Sequence, residues 1–150
     1  MPGLLIIAHA PLASALKSVA AHVYPESANK LAALDVPPEW SAEQLEAAAR
    51  QALGEVLDPQ ALILTDVFGA TPCNVAQRIA DGSSDVRVVT GVNVPMLWRA
   101  ICYAQEPIDA LVTRAASGGA QGVMQVVAAK PQNQPVHSRP HDQKLAHHQQ

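Results

Sequence analysis

The sequence predicts an α/β domain: an open, mainly parallel sheet with helices on both faces, in three layers. Short aliphatic and β-branched runs alternate with segments whose apolar residues recur every three or four positions, the alternation that βαβ units require. Three of the runs lead through a short loop-like stretch into a helical pattern, at Ala8-His9-Ala10-Pro11, at Thr65-Asp66-Val67-Phe68-Gly69-Ala70-Thr71-Pro72 and at Gly91-Val92-Asn93-Val94-Pro95-Met96-Leu97. In a parallel sheet all three emerge at the carboxyl edge, where open α/β folds keep their sites.

Leu4 to Ala8 is continuously apolar, the pattern of a central strand covered on both faces. After Pro11, the residues Leu12, Ala15, Leu16, Val19 and Val23 keep the spacing of one helix face, which puts His9 in the turn between the first strand and the first helix. A weaker strand follows at Lys30 to Val36 and ends at Pro37-Pro38. Ser41, with Glu43 and Gln44 behind it, opens a helix whose Leu45, Ala48, Ala49, Ala52, Leu53 and Val56 hold the period as far as Asp58-Pro59. Ala61 to Thr65 is the third strand. Thr71 then supplies an N-cap with Pro72 at the first helical position, and that helix runs to Asp81-Gly82. Val86 to Thr90 is the fourth strand, a helix spans Val94 to Ala104, and Pro107 starts a last helix that fades at Ser117-Gly118-Gly119. Residues 121–129 read equally as helix end or strand.

With 150 residues the chain is long enough to bury roughly two thirds of its unfolded surface around one core. Charged residues are 15% and aromatics 3% of the chain, against about 25% charged in an average protein, so the core is aliphatic and the surface bland enough to lean toward self-association. A net charge of −3 and a pI near 6.0 give no electrostatic footing for nucleic acid or an anionic membrane. Cys73 and Cys102 lack CxxC spacing and read as reduced packing residues. The apolar amino terminus lacks a basic region before it, and no stretch reaches the roughly 18 apolar residues of a membrane span, so a cytoplasmic protein is expected. From Lys130 the composition turns to Pro, Gln, His and Asn. Residues 1–130 are therefore read as the folded domain and 131–150 as a disordered tail, whose four histidines fit no structural zinc spacing.

At the predicted edge, His9 is the candidate nucleophile, because a neutral imidazole can take up a phosphoryl group and pass it on. One ring nitrogen must be held by an acceptor so that the other keeps its lone pair outward, and Asp66 is the carboxylate at hand. The phosphoryl oxygens need fixed donors, which backbone amides at helix starts provide. Ala10, Gly69, Ala70 and Thr71 are the candidates, with the Thr71 hydroxyl in addition and Gly69 permitting a tight turn. Asn93 and Pro95 form a candidate site edge. Each residue alone has a plainer reading: His9 as a packing residue, Asp66 as a turn or cap residue, Asn93 as the cap of the Pro95 helix. The reading rests on the constellation. His22 reads as a surface residue, and Trp40 and Trp98 as packing.

Taken together, Thr65-Asp66-Val67-Phe68-Gly69-Ala70-Thr71-Pro72-Cys73-Asn74, Gly91-Val92-Asn93-Val94-Pro95-Met96-Leu97 and the histidine after strand one resemble the enzyme IIA domain of the mannose-type sugar phosphotransferase system, over residues 3 to about 130. The resemblance implies a phosphotransferase without cofactor or metal, in which His9 receives the phosphoryl group from HPr on Nε2 and hands it to an enzyme IIB while Asp66 holds Nδ1. It places Thr71 at a family serine beside the phosphate, and implies a homodimer whose carboxyl-terminal strand, here within 121–129, crosses to the neighbouring subunit. Two features depart from the family. Ala10-Pro11 follows the histidine where a glycine is usual, removing one amide donor, and a Pro/Gln/His tail stands where many relatives carry a linker and a IIB domain. Rival readings are a receiver domain phosphorylated on Asp66, which lacks the acidic pair after strand one, a metal or tetrapyrrole site on His9, which lacks further ligands, and an interaction module in which His9 never carries phosphate.

Overall fold

The apolar runs form a four-stranded parallel sheet in the computed structural model, which describes residues 1–128. Strands β1 (Gly3–His9), β2 (Leu31–Val36), β3 (Ala61–Thr65) and β4 (Val86–Thr90) lie in the order β2-β1-β3-β4. β1 is central, with Ile6 beside Ala33 on one side and Leu64 on the other. The chain leaves β1 first toward β2 and then returns to β3 on its other side, so the switch point of the sheet lies between β1 and β3.

Helices α1 (Leu12–Val23), α4 (Val94–Cys102) and α5 (Ile108–Gln121) cover one face, and α2 (Ala42–Val56) and α3 (Thr71–Ala80) the other. Leu4, Ile6, Ala8, Leu62 and Leu64 point into the first layer, while Leu5, Ile7, Ala61 and Ile63 point into the second, the two-residue alternation of a pleated strand. With both faces covered, β1 has no polar side, which is why Leu4 to Ala8 could be read as continuously apolar. The capping box expected at Ser41 is present: Ser41 Oγ accepts from the Gln44 amide at 3.1 Å and Gln44 Oε1 from the Ser41 amide at 2.9 Å.

The elements differ from expectation in four places. A 3-10 helix over Pro25–Lys30 precedes β2, too short for periodicity to announce. The N-cap of α3 is Ala70, without a side-chain cap, and Thr71 is already helical. Helix α4 ends at Cys102 rather than Ala104. Helix α5 does not fade at Ser117-Gly118-Gly119 but runs on to Gln121. Its glycines belong inside the helix because α5 lies tightly on α4: a Cβ at Gly118 would stand 2.7 Å from Arg99 Cβ, and one at Gly119 2.8 Å from Met96 Cε. Among the described residues, 123–128 pair with no strand, and Val123, Met124, Val126 and Val127 are 71–87% exposed. The tail at 131–150 and its histidines lie outside the described residues. Among the described residues, no helix is long and apolar enough to cross a membrane.

The packing of α5 on α4 sets up a contrast between two helical glycines. Gly54, in α2, has open space around its Cα, so Gly54→Ala should raise stability by about 0.5–1 kcal/mol through helix propensity. Gly118→Ala should lose about 1–3 kcal/mol, because overpacking against Arg99 outweighs that gain. Urea-unfolding midpoints of the two variants should therefore move in opposite directions.

Candidate functional site

His9 is the last residue of β1, two positions beyond Ile7, so the pleat turns its side chain toward the α2/α3 face. Asp66 follows the last residue of β3, and the register that sets Ile7 beside Thr65 brings the two residues together across the switch point. His9 Nδ1 lies 2.7 Å from Asp66 Oδ2, and the His9 amide donates to the same oxygen at 3.0 Å. The Val67 amide donates to Oδ1 at 2.9 Å. The carboxylate is thus held from three directions, with its side chain 13% exposed against 54% for His9.

Partial burial is the largest single influence on the Asp66 carboxyl and pushes it up. The His9 amide, the His9 ring with its charge and the Val67 amide together outweigh burial and hold it below the ordinary carboxylate range. An ionised carboxylate can only accept, so Nδ1 carries the ring proton and Nε2 of the neutral ring keeps its lone pair. The pair is fixed by geometry and polarised in the sense a nucleophilic imidazole requires.

The turn after Asp66 passes through Gly69 at φ 85°, a left-handed conformation that favours glycine, and Ala70 then leads into α3. The first bond of that helix runs from the Asn74 amide to the Ala70 carbonyl at 3.0 Å. The amides ahead of it at Thr71 and Cys73 have no acceptor further back in the helix, and Pro72 has none to offer. Thr71 meets His9 and Ala10 in one cleft of about 480 Å³, whose other wall is Val36, Pro37, Pro38, Trp40 and Leu45. One wall is therefore polar and faces a helix amino end, and the other is apolar.

Not every predicted residue joins this cleft. Ala10 lines it, but its amide already donates to the Val36 carbonyl at 3.1 Å. Gly69 and Ala70 shape the turn before Thr71. Asn93 caps α4, accepting from the Met96 amide at 2.9 Å, and donates to the Gly119 carbonyl at 3.1 Å. Pro95 borders a separate depression with Trp98, Arg99 and Tyr103. Trp98 packs edge-on against Tyr24, with ring centroids 5.4 Å apart, and His22 is exposed. Both cysteines are free, but only Cys73 is buried and Cys102 is exposed, because its turn of α4 reaches the surface. Among the described residues, no group of three or more His, Cys, Asp or Glu side chains is placed to hold a metal.

Sequence reasoning missed two residues. Trp40, expected to be packing, stands on the rim of the His9 cleft. Asp35, in β2, accepts from the Ser14 amide in the first turn of α1 at 3.0 Å. Its signal was a lone acid between Leu34 and Val36 in an otherwise apolar strand.

An open parallel sheet with its polar side chains gathered at the carboxyl edge has the architecture of the IIA components of the sugar phosphotransferase system. The mannose/sorbose-specific IIA subunit from Enterococcus faecalis matches with a TM-score of 0.78 at 25% identity, covering 86% of this chain and 97% of that one. Component EIIA from Streptococcus agalactiae matches with a TM-score of 0.73 at 24% identity, over 83% and 97% of the two chains, a likeness of fold. The family model EIIA-man, described as the fructose IIA component of the phosphotransferase system, matches residues 3–116. The mannose-specific EIIAB component of Escherichia coli (strain K12) is 36% identical over 72 residues, 47% of this chain and 22% of that longer protein. The chain belongs to the mannose-type IIA family.

The lowered Asp66 carboxyl makes stability depend on pH in a defined sense. Its contribution is complete above the ordinary carboxylate value of 3.8 and is lost as pH falls through the lower folded-state value. The stability gap between wild type and Asp66→Asn should therefore shrink as pH falls from about 4 toward about 2, as read from urea unfolding at each pH. A gap that widened over that range would contradict the assignment.

Proposed function

We propose that the protein is a cytoplasmic phosphocarrier, in which His9 Nε2 accepts a phosphoryl group from phospho-HPr and passes it to an enzyme IIB, in sugar uptake or in regulation linked to the phosphotransferase system. The observation that carries this reading is the 2.7 Å contact of Nδ1 with Asp66, which commits one ring nitrogen and leaves the other for chemistry. Nε2 attacks phosphorus as the P–N bond to the donor histidine breaks, and the electron pair of that bond returns to the donor ring. The positive charge that grows on the His9 ring is met by Asp66, which keeps accepting from Nδ1. The Thr71 hydroxyl and the amides at the start of α3 donate to the phosphoryl oxygens. No cofactor enters the step. Onward transfer reverses it, with Nε2 as the leaving atom, so the site must hold the anion modestly and not trap it.

Membership of the mannose-type family supports this role. The test is intact mass after incubation with phosphoenolpyruvate, enzyme I and HPr. Wild type should gain one acid-labile phosphoryl group, His9→Ala none, and Asp66→Asn should acquire it at least about tenfold more slowly, since the ring loses its fixed tautomer. No gain in wild type, with HPr itself phosphorylated, would move the reading to an interaction module.

The reading extends to a homodimer. β4 is an edge strand, and the apolar residues Val123, Met124, Val126 and Val127 follow α5 exposed, paired with no strand among the described residues. We infer that this segment extends the sheet of a second copy. Full-length protein should sediment as a dimer and a chain stopped after Gly122 as a monomer. A truncated chain that still dimerised would place the interface elsewhere.

A further inference from the structure

We propose that Asp35 is a positioning residue for His9: by capping α1 from the neighbouring strand, it fixes the short link through which His9 joins that helix, and so holds the imidazole against Asp66. The inference rests on the phosphocarrier reading for its consequence, and on the following contacts for its substance.

Only Ala10 and Pro11 separate His9, the end of β1, from Leu12, the start of α1. Any rocking of the first turn of α1 is therefore passed to the His9 backbone. Yet α1 carries no cap of its own: its N-cap is Pro11, no side chain caps it, and its first turn holds no acidic residue. Ser14 is the one hydroxyl in the first turn of α1, and it donates backward to the Pro11 carbonyl at 3.2 Å. The missing acceptor comes from another element. Asp35 Oδ1 takes the Ser14 amide at 3.0 Å, the third amide of the helix and the usual target of a local N-cap.

The placement of Asp35 follows from register and pleat. Asp35 is the partner of Ala8 and Val36 the partner of His9, so Asp35 faces α1 while Val36 shares the His9 face. The carboxyl end of β2 thus grips the link twice, through Asp35 on Ser14 and through the Val36 carbonyl on the Ala10 amide at 3.1 Å. Asp66 grips it a third time through the His9 amide at 3.0 Å. Asp35 is half-buried and, among the described residues, forms no ion pair. Its partner is the helix end itself. One consequence is that the two helix amino ends at this edge are not equivalent. That of α1 is occupied by a carboxylate, and that of α3 is open to a phosphoryl group.

The experiment compares Asp35→Asn, which keeps an acceptor of the same reach, with Asp35→Ala, which removes it, and Asp35→Glu, which keeps the charge but sets the carboxylate one methylene further out. Full-length unphosphorylated protein is used first, with the His9 ring nitrogens read by ¹⁵N NMR. Wild type and Asp35→Asn should show a single tautomer protonated at Nδ1, and Asp35→Ala and Asp35→Glu a shift toward averaged tautomers. Transfer from phospho-HPr should slow at least about tenfold in Asp35→Ala and Asp35→Glu and stay within about twofold in Asp35→Asn, the scale on which small misplacements of a reacting group act. Should Asp35→Ala fail to show a cooperative melt, Asp35→Glu carries the comparison. Wild-type ring signals and rates in Asp35→Glu and Asp35→Ala would overturn the proposal, as would Asp35→Asn behaving like Asp35→Ala. If wild type takes up no phosphate, the phosphocarrier reading fails, while the ring signals still decide the role of Asp35.

Discussion

The register of β1 against β3 is the constraint on which the rest depends. With Ile7 beside Thr65, the ends of both strands project a histidine and an aspartate into the same crevice, close enough for a 2.7 Å contact. A slip of one residue would turn His9 to the α1 face and leave Asp66 without its partner. That register is secured by burial on both faces. Leu4 to Ala8, with Leu62, Ile63 and Leu64, are nearly or wholly excluded from water, and a slip would drive each side chain into the wrong layer. The stability of the core and the geometry of the site are the same fact seen at the middle and at the end of the strand.

Electrostatics at the edge follow from the way two carboxylates are spent. Asp66 is partly buried, a cost its three hydrogen bonds offset, so it stays ionised and orients an imidazole rather than binding a proton or a solvent cation. Asp35 is spent on a helix end. Neither charge is free to repel an incoming anion at full strength, and the amino end of α3 supplies the opposing partial charge. Pro11 and Pro72 each delete an amide at this edge, which narrows the set of donors to the turn and first residues of α3. The α1 end, beside Ala10-Pro11, is closed by a side chain from β2.

The cleft is also larger and more apolar than a phosphoryl group alone would require. Its Val36, Pro37, Pro38, Trp40 and Leu45 wall, and the exposure of Phe68 at 73% in the adjoining turn, surround the polar atoms with apolar surface. An apolar rim of this kind lowers the local dielectric and strengthens each hydrogen bond beside it.

Much of this was readable from the chain alone. The four strands, the helix faces and the capping box at Ser41 are local patterns, each set by a few neighbouring residues, and the polar residues at the ends of β1 and β3 singled out His9, Asp66 and Thr71 as candidates before any contact was known. What eluded the sequence was non-local. Gly118 and Gly119 read as a helix end because their lack of a side chain has a purpose only against Arg99 and Met96. Asn93 reads equally as site or cap until Met96 and Gly119 are seen to claim it. Asp35 and Trp40 reach the neighbourhood of His9 from a strand and a loop more than 25 residues away. Sequence by itself determined the parallel α/β class and the edge at which the polar candidates gather, because periodicity and turn residues act over a few positions. Only the tertiary structure decided which side chains meet there, because register and helix packing are settled by burial across the whole sheet.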